Sequence, residues 1–170
     1  MDNKIKLFLT DVDGVLTDGG MYYTENGDEF KKFSVYDGMG LQILQSTGVK
    51  TGIITAETRT LNQRRAKKIG LDYYYEGIKN KLTVASELCQ QLKINLNQVA
   101  YIGDDVNDLT LLRAVGIAAC PLNARREVQA VEQIVKIQVA GGNGAVRAFI
   151  EYLFDQNLVD NSTQTETPWA

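Results

Sequence analysis

Lys6-Leu7-Phe8-Leu9-Thr10-Asp11-Val12-Asp13-Gly14 begins as a short apolar run and ends in two acidic residues and a glycine. The run at 6–10 has no helical period, so it is expected to form a buried strand. Asp11 and Asp13 then lie just beyond the strand end, and Gly14 permits a tight turn that aims backbone amides at an anion. Outward from this point, apolar and amphipathic stretches alternate. Strands are expected at 49–55, 71–75, 99–102, 116–119 and 134–137. Helices are expected at 58–69, 82–92, 109–115, 125–131 and 144–154, with an earlier one beginning near Leu41 and ended by Gly48. Strands separated by helices pair in parallel through right-handed crossovers, which predicts an α/β fold with a doubly wound, Rossmann-like parallel sheet.

One segment breaks the alternation. Between 20 and 33, Met21-Tyr22-Tyr23-Thr24 and Glu29-Phe30-Lys31-Lys32-Phe33 flank Glu25-Asn26-Gly27-Asp28. An Asn-Gly turn between such runs predicts a small β-hairpin inserted into the α/β fold. With 170 residues, a single domain over 1–158 is expected, and the short polar tail at 159–170 is expected to be disordered.

Composition narrows the chemistry. Apolar residues make up 44% and charged residues 23%, with a net charge of -3 and no concentrated basic face, so nucleic acid is not an expected partner. The apolar runs fall far short of the roughly 20 residues that span a bilayer, so no membrane partner is expected. A charged start without an apolar signal core predicts a cytoplasmic protein. Cys89 and Cys120 lack metal-type spacing and are expected as buried, reduced thiols. The chain contains no histidine, which removes the Ser-His-Asp and Cys-His arrangements and all histidine-based metal sites. Carboxylates, lysine, hydroxyls, backbone amides or a hard metal must carry any catalysis.

A second acidic cluster, Gly103-Asp104-Asp105-Val106-Asn107-Asp108, follows the strand at 99–102. In open α/β sheets, ligands gather at the carboxyl ends of strands. Carboxylates from two strand ends would repel and raise one another's pKa, and a hard divalent cation such as Mg²⁺ relieves this. That combination suits phosphoryl transfer: the metal neutralises phosphate, one carboxylate attacks, and another two residues on serves as acid and then base. A lone Asp at a strand end is ordinarily a solvated loop residue or a helix cap. Two such clusters after separate strands are poorly explained that way. Thr55, at another strand end, and Lys81, at a helix start, are ordinary in isolation. Lying between the clusters, they suit a phosphate ligand and a counter-charge.

Taken in order, Asp11-Val12-Asp13-Gly14, Thr55, Lys81 and Gly103-Asp104-Asp105 with Asp108 resemble the motifs of the haloacid dehalogenase superfamily, specifically its phosphatases, over about 4–154. The resemblance implies Asp11 as nucleophile, Asp13 as general acid/base, and Lys81 as catalytic counter-charge. It implies phosphate binding by Asp11, Gly14, Thr55, Ala56 and Lys81. Mg²⁺ would be held by Asp11, the Asp13 carbonyl and Asp104, with Asp105 and Asp108 orienting waters and Lys81. The gaps between motifs leave no room for a cap domain.

The sequence is similar to the capless subgroup of homotetramers acting on sugar-acid phosphates. The similarity lies in DVDGVLTDG, Lys32-Phe33, Asp37-Gly38-Met39-Gly40, Tyr101-Ile102-Gly103-Asp104-Asp105 and Gly141-Gly142-Asn143-Gly144-Ala145-Val146-Arg147. It implies 3-deoxy-D-manno-octulosonate 8-phosphate as substrate, in lipopolysaccharide precursor synthesis, with neighbouring chains covering each site. Ala56-Glu57 departs from the Gly-Arg expected after the motif threonine and looks more like phosphatases of nine-carbon keto-deoxy acid 9-phosphates. There, Glu57 would orient hydroxyls and Arg65 or Lys68 would meet the carboxylate. A signalling receiver domain shares the acidic residues and Mg²⁺, but a usable Asp13 favours turnover over stable phosphorylation. An inactive regulatory domain would lack a motif residue, and none is missing.

Overall fold

The computed structural model describes residues 4–160. In chain order the elements are β1 (Leu7–Thr10), β2 (Tyr22–Tyr23), β3 (Glu29–Phe30), α1 (Val35–Ser46), β4 (Lys50–Ile54), α2 (Thr60–Ile69), β5 (Tyr73–Tyr75) and α3 (Lys81–Leu92). β6 (Val99–Ile102), α4 (Leu109–Leu112), β7 (Ile117–Cys120), α5 (Arg126–Gln129), β8 (Val135–Lys136) and α6 (Ala145–Asp155) follow. Six strands form one parallel sheet in the order β5-β4-β1-β6-β7-β8. Leu7 stands opposite Lys50 on one side and Val99 on the other, and Thr10 opposite Ile53 and Ile102. Among the described residues no helix is long and apolar enough to cross a membrane.

The period of two along the strands builds two cores. Leu7, Leu9, Val99, Tyr101 and Ile54 point to one face, beneath Ala85 and Leu88 of α3, Leu111 and Leu112 of α4, and Val128 of α5. Phe8, Ala100, Ile102 and Ile53 point to the other, beneath Leu41 and Leu44 of α1, Ala66 and Ile69 of α2, and Phe149, Ile150 and Leu153 of α6. Phe149 is buried and its ring lies 5.5 Å from that of Phe8; burying such a side chain contributes about 1.5–3 kcal/mol. Beyond β1 the chain winds outward to β4 and β5 under α1 and α2. Beyond β6 it winds the opposite way to β7 and β8 under α4 and α5. The winding reverses between β1 and β6, so a crevice opens at their carboxyl ends.

Several elements differ from expectation for identifiable reasons. α1 starts at Val35, six residues before Leu41, with Ser34 accepting the Tyr36 amide at 3.2 Å as its cap. Gly38 and Gly40 disfavour a helix on propensity, by about 1 kcal/mol each. Tertiary packing outweighs that preference, since a Cβ on Gly40 would come within 3.2 Å of the Arg147 Cα in α6. The hairpin ladder covers only Tyr22–Tyr23 and Glu29–Phe30, shorter than the expected runs. Past Phe30 the strand leaves its partner, and Phe33 instead bridges Thr17. α4 and α5 are each a single turn, shorter than the expected 109–115 and 125–131. Cys89 and Cys120 are free and buried. Val159 is buried in the core, so packing passes the expected start of the tail at 159. Residues 161–170 of that tail lie outside the described residues.

Asp37 is a buried carboxylate inside α1. Its Oδ1 accepts the Arg147 amide at the start of α6 at 2.9 Å, while Oδ2 has no partner. Burial pushes its pKa up to about 6, against the opposing pull of the α6 amides. The folded state therefore keeps a proton that the unfolded chain releases near 3.8. The stability tied to that proton is fully present below the unfolded value and is lost as pH rises through about 6. Asp37→Asn, which keeps an acceptor without a charge, should therefore gain stability relative to the native protein as pH rises from 4 to 7. The gain is at most about 3 kcal/mol, read from paired thermal melts. A gap independent of pH would contradict this account.

Candidate active site

The crevice between β1 and β6 receives Asp11 and Asp13 from the loop after β1, and Asp104 and Asp105 from the loop after β6. Thr55 enters from the end of β4 and Lys81 from the first turn of α3. Gly14 is held at φ 80°, and a Cβ there would fall 2.0 Å from Asp104 Oδ2. The two acidic loops thus approach closely only because this residue is glycine. From the other side, Asn123 donates to the Gly14 carbonyl at 2.9 Å and accepts the Gly141 amide at 2.7 Å. The glycine-rich segment thereby buttresses the loop that carries Asp13.

Lys81 is completely buried. Its Nζ lies 2.9 Å from Asp11 Oδ2 and 2.6 Å from Asp108 Oδ1. Burial pulls its pKa down, but Asp11 and Asp108 outweigh that and hold it above the ordinary lysine value. Tyr101, also buried, donates to Asp108 Oδ1 at 2.6 Å, and its own pKa is driven upward by burial and then by Asp108 and Asp11. Asp108 Oδ2 accepts the amides of Asp104 at 2.9 Å and Asp105 at 3.3 Å. Both oxygens of Asp108 are thus spent on holding Lys81, Tyr101 and the Asp104 loop. The Asp105 carboxylate accepts the Val106 amide at 2.7 Å rather than meeting Lys81, and the residue is exposed.

Oxygens of Asp11, Asp104 and Asp108 lie within 4.8 Å of one another. Burial first, then neighbouring carboxylates, push Asp104 up to about 8. Burial and Asp108 push Asp11 up to about 7 against the pull of Lys81. Two carboxylates raised in this way, Asp11 buried and Asp104 half-buried, with one lysine between three acids, are short of positive charge. An all-oxygen donor set of this kind fits a hard divalent cation. Because Asp108 is already saturated, Asp11 and Asp104 are the side chains with capacity to hold it.

These groups open into a cleft of about 190 Å³ lined by Asp11, Asp13, Thr55, Ala56, Glu57, Asp104, Asp105 and Asn107. It is smaller than the roughly 300–1,000 Å³ of typical small-molecule sites. A larger hollow of about 440 Å³, between Leu112 and Gln133, contains none of these acidic residues. Glu57 lies in the cleft, but Arg65 and Lys68, expected beside it, do not. Arg65 donates to the Ser34 carbonyl at 2.7 Å and lies over the Phe33 ring at 5.7 Å. With Lys68 it lines a separate hollow of about 180 Å³ against α1. The grouping of Glu57, Arg65 and Lys68 is therefore not formed within one chain, because α2 begins at Thr60 and runs away from the crevice.

Lys31 and Tyr101 are additions with no site role expected from sequence. Lys31 Nζ bridges Asp13 Oδ1 at 2.6 Å and Glu57 Oε2 at 2.8 Å. Burial pulls Lys31 down, but the hydrogen bonds to those carboxylates hold it above its ordinary value. The same hydrogen bond is the main cause that keeps Glu57 below the usual range. The strand alternation held the signal for Lys31: Glu29, Lys31 and Phe33 share one face, which looks into the body of the protein.

Comparison with known proteins bears on this geometry. Residues 54–149 match the haloacid dehalogenase-like hydrolase family, a span that includes Thr55, Lys81 and Asp104. The 3-deoxy-D-manno-octulosonate 8-phosphate phosphatase of Escherichia coli (strain K12) is 36% identical over 150 residues, covering 88% of this chain and 79% of that protein. The phosphatase of the same name from Moraxella catarrhalis, solved with magnesium, phosphate and KDO, superposes with a TM-score of 0.85 at 40% identity, covering 91% of this chain and 88% of that one. A cobalt-bound deoxy-D-mannose-octulosonate 8-phosphate phosphatase from Haemophilus influenzae gives 0.84 at 32% identity, covering 91% of each. By fold, by site and by relatedness over most of its length, this chain belongs to the haloacid dehalogenase-like hydrolases.

Proposed function

We propose that the protein is a Mg²⁺-dependent phosphomonoesterase that hydrolyses 3-deoxy-D-manno-octulosonate 8-phosphate through an aspartyl-phosphate on Asp11. The observation that carries this reading is the buried Lys81 shared by Asp11 and Asp108, beside an Asp104 that forms no ion pair among the described residues. Mg²⁺ would be held by the Asp11 and Asp104 carboxylates and the Asp13 main-chain carbonyl, and would supply the charge neutralisation that lets a carboxylate approach a phosphate dianion.

Asp11 attacks phosphorus, and the bond to the leaving oxygen breaks as Asp13 gives that oxygen a proton. A water then attacks phosphorus with Asp13 taking its proton, and the Asp11–phosphorus bond breaks. Lys81, Thr55 and the amides at Gly14 and Ala56 hold phosphate oxygens, with Asp108 and Tyr101 keeping Lys81 in place and Asp105 facing the cleft. The relatives named above act on the eight-carbon substrate or bear its name, which supports that assignment.

The cleft takes a phosphate group and little more, so the sugar acid needs further walls. A homotetramer whose neighbouring chains supply them is consistent with the exposed Met21, Tyr22, Tyr23 and Phe30 of the hairpin. Arg65 and Lys68 then serve as substrate contacts offered to an adjacent chain. A second reading, a nine-carbon keto-deoxy acid 9-phosphate, is favoured by one observation: Glu57 lines the cleft. We further propose a single domain, reaching past the expected 158 to the buried Val159, and a cytoplasmic setting.

Phosphate release from both sugar-acid phosphates, assayed with Mg²⁺ and after chelation, tests the reading. Release from the eight-carbon ester is expected to be strongly preferred, to stop on chelation and to return with Mg²⁺. Mg²⁺ should also raise the melting temperature, since it binds the folded carboxylate site. Preference for the nine-carbon ester would make Glu57 a specificity residue, and release from neither would remove the substrate class. A fully active monomer, by sedimentation at assay concentration, would refute the tetramer.

A further inference from the structure

Lys31 takes no part in the chemistry above, yet it is built into it. Its side chain is 0% exposed, held between Asp13 and Glu57, whose side chains are 32% and 37% exposed. Covering an ammonium is costly unless it is paired, and here both partners come from the cleft. Thr17 Oγ1 also lies 3.4 Å from Asp13 Oδ1, so both contacts fall on the same oxygen. Among the described residues no donor sits on Asp13 Oδ2.

The backbone holds this arrangement in register. Phe33, two residues beyond Lys31, bridges Thr17 in the loop that carries Asp13. Two residues before it, Glu29 pairs with Arg59 at 3.3 Å. The return strand of the hairpin is therefore anchored on both sides of Lys31. Without that lysine, Asp13 and Glu57 would face each other across no more than the two bonds to its Nζ, with Arg59, 3.9 Å from Glu57 Oε1, as the remaining counter-charge.

We infer that Lys31 is a positioning residue for the acid–base step: it grips Asp13 by Oδ1, screens it from Glu57, and leaves Oδ2 for the leaving-group oxygen. This inference rests on the phosphatase reading. It predicts sensitivity to the leaving group, because an alkoxide needs a proton to depart whereas 4-nitrophenolate leaves without one.

The test compares the octulosonate 8-phosphate with 4-nitrophenyl phosphate in native protein, Lys31→Met and Lys31→Arg. Turnover of the alkyl ester should fall about 100-fold in Lys31→Met, at least tenfold more than turnover of the aryl ester. Lys31→Arg, which keeps the charge and spans both acids, should fall between the two. If Lys31→Met does not melt cooperatively, Lys31→Arg alone must still lower the alkyl-to-aryl ratio. Equal loss on both esters, or no loss, overturns the assignment. Native protein inactive on both esters and on the nine-carbon 9-phosphate refutes the phosphatase reading and takes this inference with it.

Discussion

Asp11→Asn is expected to lower phosphate release by roughly 10⁴-fold or more while leaving the fold intact. The amide keeps the oxygen that accepts the Val12 amide, a contact of 2.7 Å in the native protein, but it cannot form the acyl-phosphate. Asp11 is only 5% exposed, and its pKa of about 7 marks a carboxylate that burial penalises in its charged form. Neutralising it therefore relieves a cost, and Lys81 retains Asp108. Thermal melts should agree within a few degrees, and phosphate assays on the same preparations give the rate. Release near the native level would overturn Asp11 as the nucleophile.

Lys81→Met should affect stability and activity together. The thioether is similar in length, but it strands two acids: Asp108 keeps Tyr101 and two amides, while Asp11 keeps only the Val12 amide. Removing one partner of a buried ion pair costs about 3–5 kcal/mol, which corresponds to a melting shift on the order of 10 °C in a chain of this size. The sign of its pH dependence follows from Asp11, whose ionisation Lys81 favours. Without Lys81 it ionises less readily in the folded state, so the variant loses more stability as pH rises. Phosphate release should fall by roughly 100-fold or more, because a charge aimed at the phosphate is lost. Melts at pH 6 and pH 8 check the first claim. A variant as stable and as active as the native protein would show that Lys81 is incidental to the site.

Much of the site was legible because its residues sit where a strand stops. Asp11, Asp13 and Asp104 follow apolar runs short enough to be strands, and position at a strand end is a local property. Thr55 and Lys81 were legible only through their order between the two acidic clusters. Tyr101 was not, since it lies within an ordinary strand pattern, and for Lys31 the alternation gives only its inward face, not what it meets there. Lys31 acquires its role from partners 18 and 26 positions away, and Tyr101 from the buried charge of Asp108. Arg65 and Lys68 show the converse. The resemblance to nine-carbon keto-deoxy acid phosphatases placed them with Glu57, but α2 carries them to a different hollow.

The alternation of strands and helices, the hairpin and the acidic strand ends were determined by the sequence itself, because periodicity, turn chemistry and strand length are set within a few residues. The strand order was decided only in the tertiary structure. Nothing local states that β1 lies between β4 and β6, yet that adjacency brings Asp11 within reach of Asp104 and Asp108. The helical state of Gly38 and Gly40 was likewise decided by the approach of α6, where close packing outweighs propensity. Charge behaves the same way: each carboxylate is ordinary alone, and only burial beside the others makes the group demand a cation.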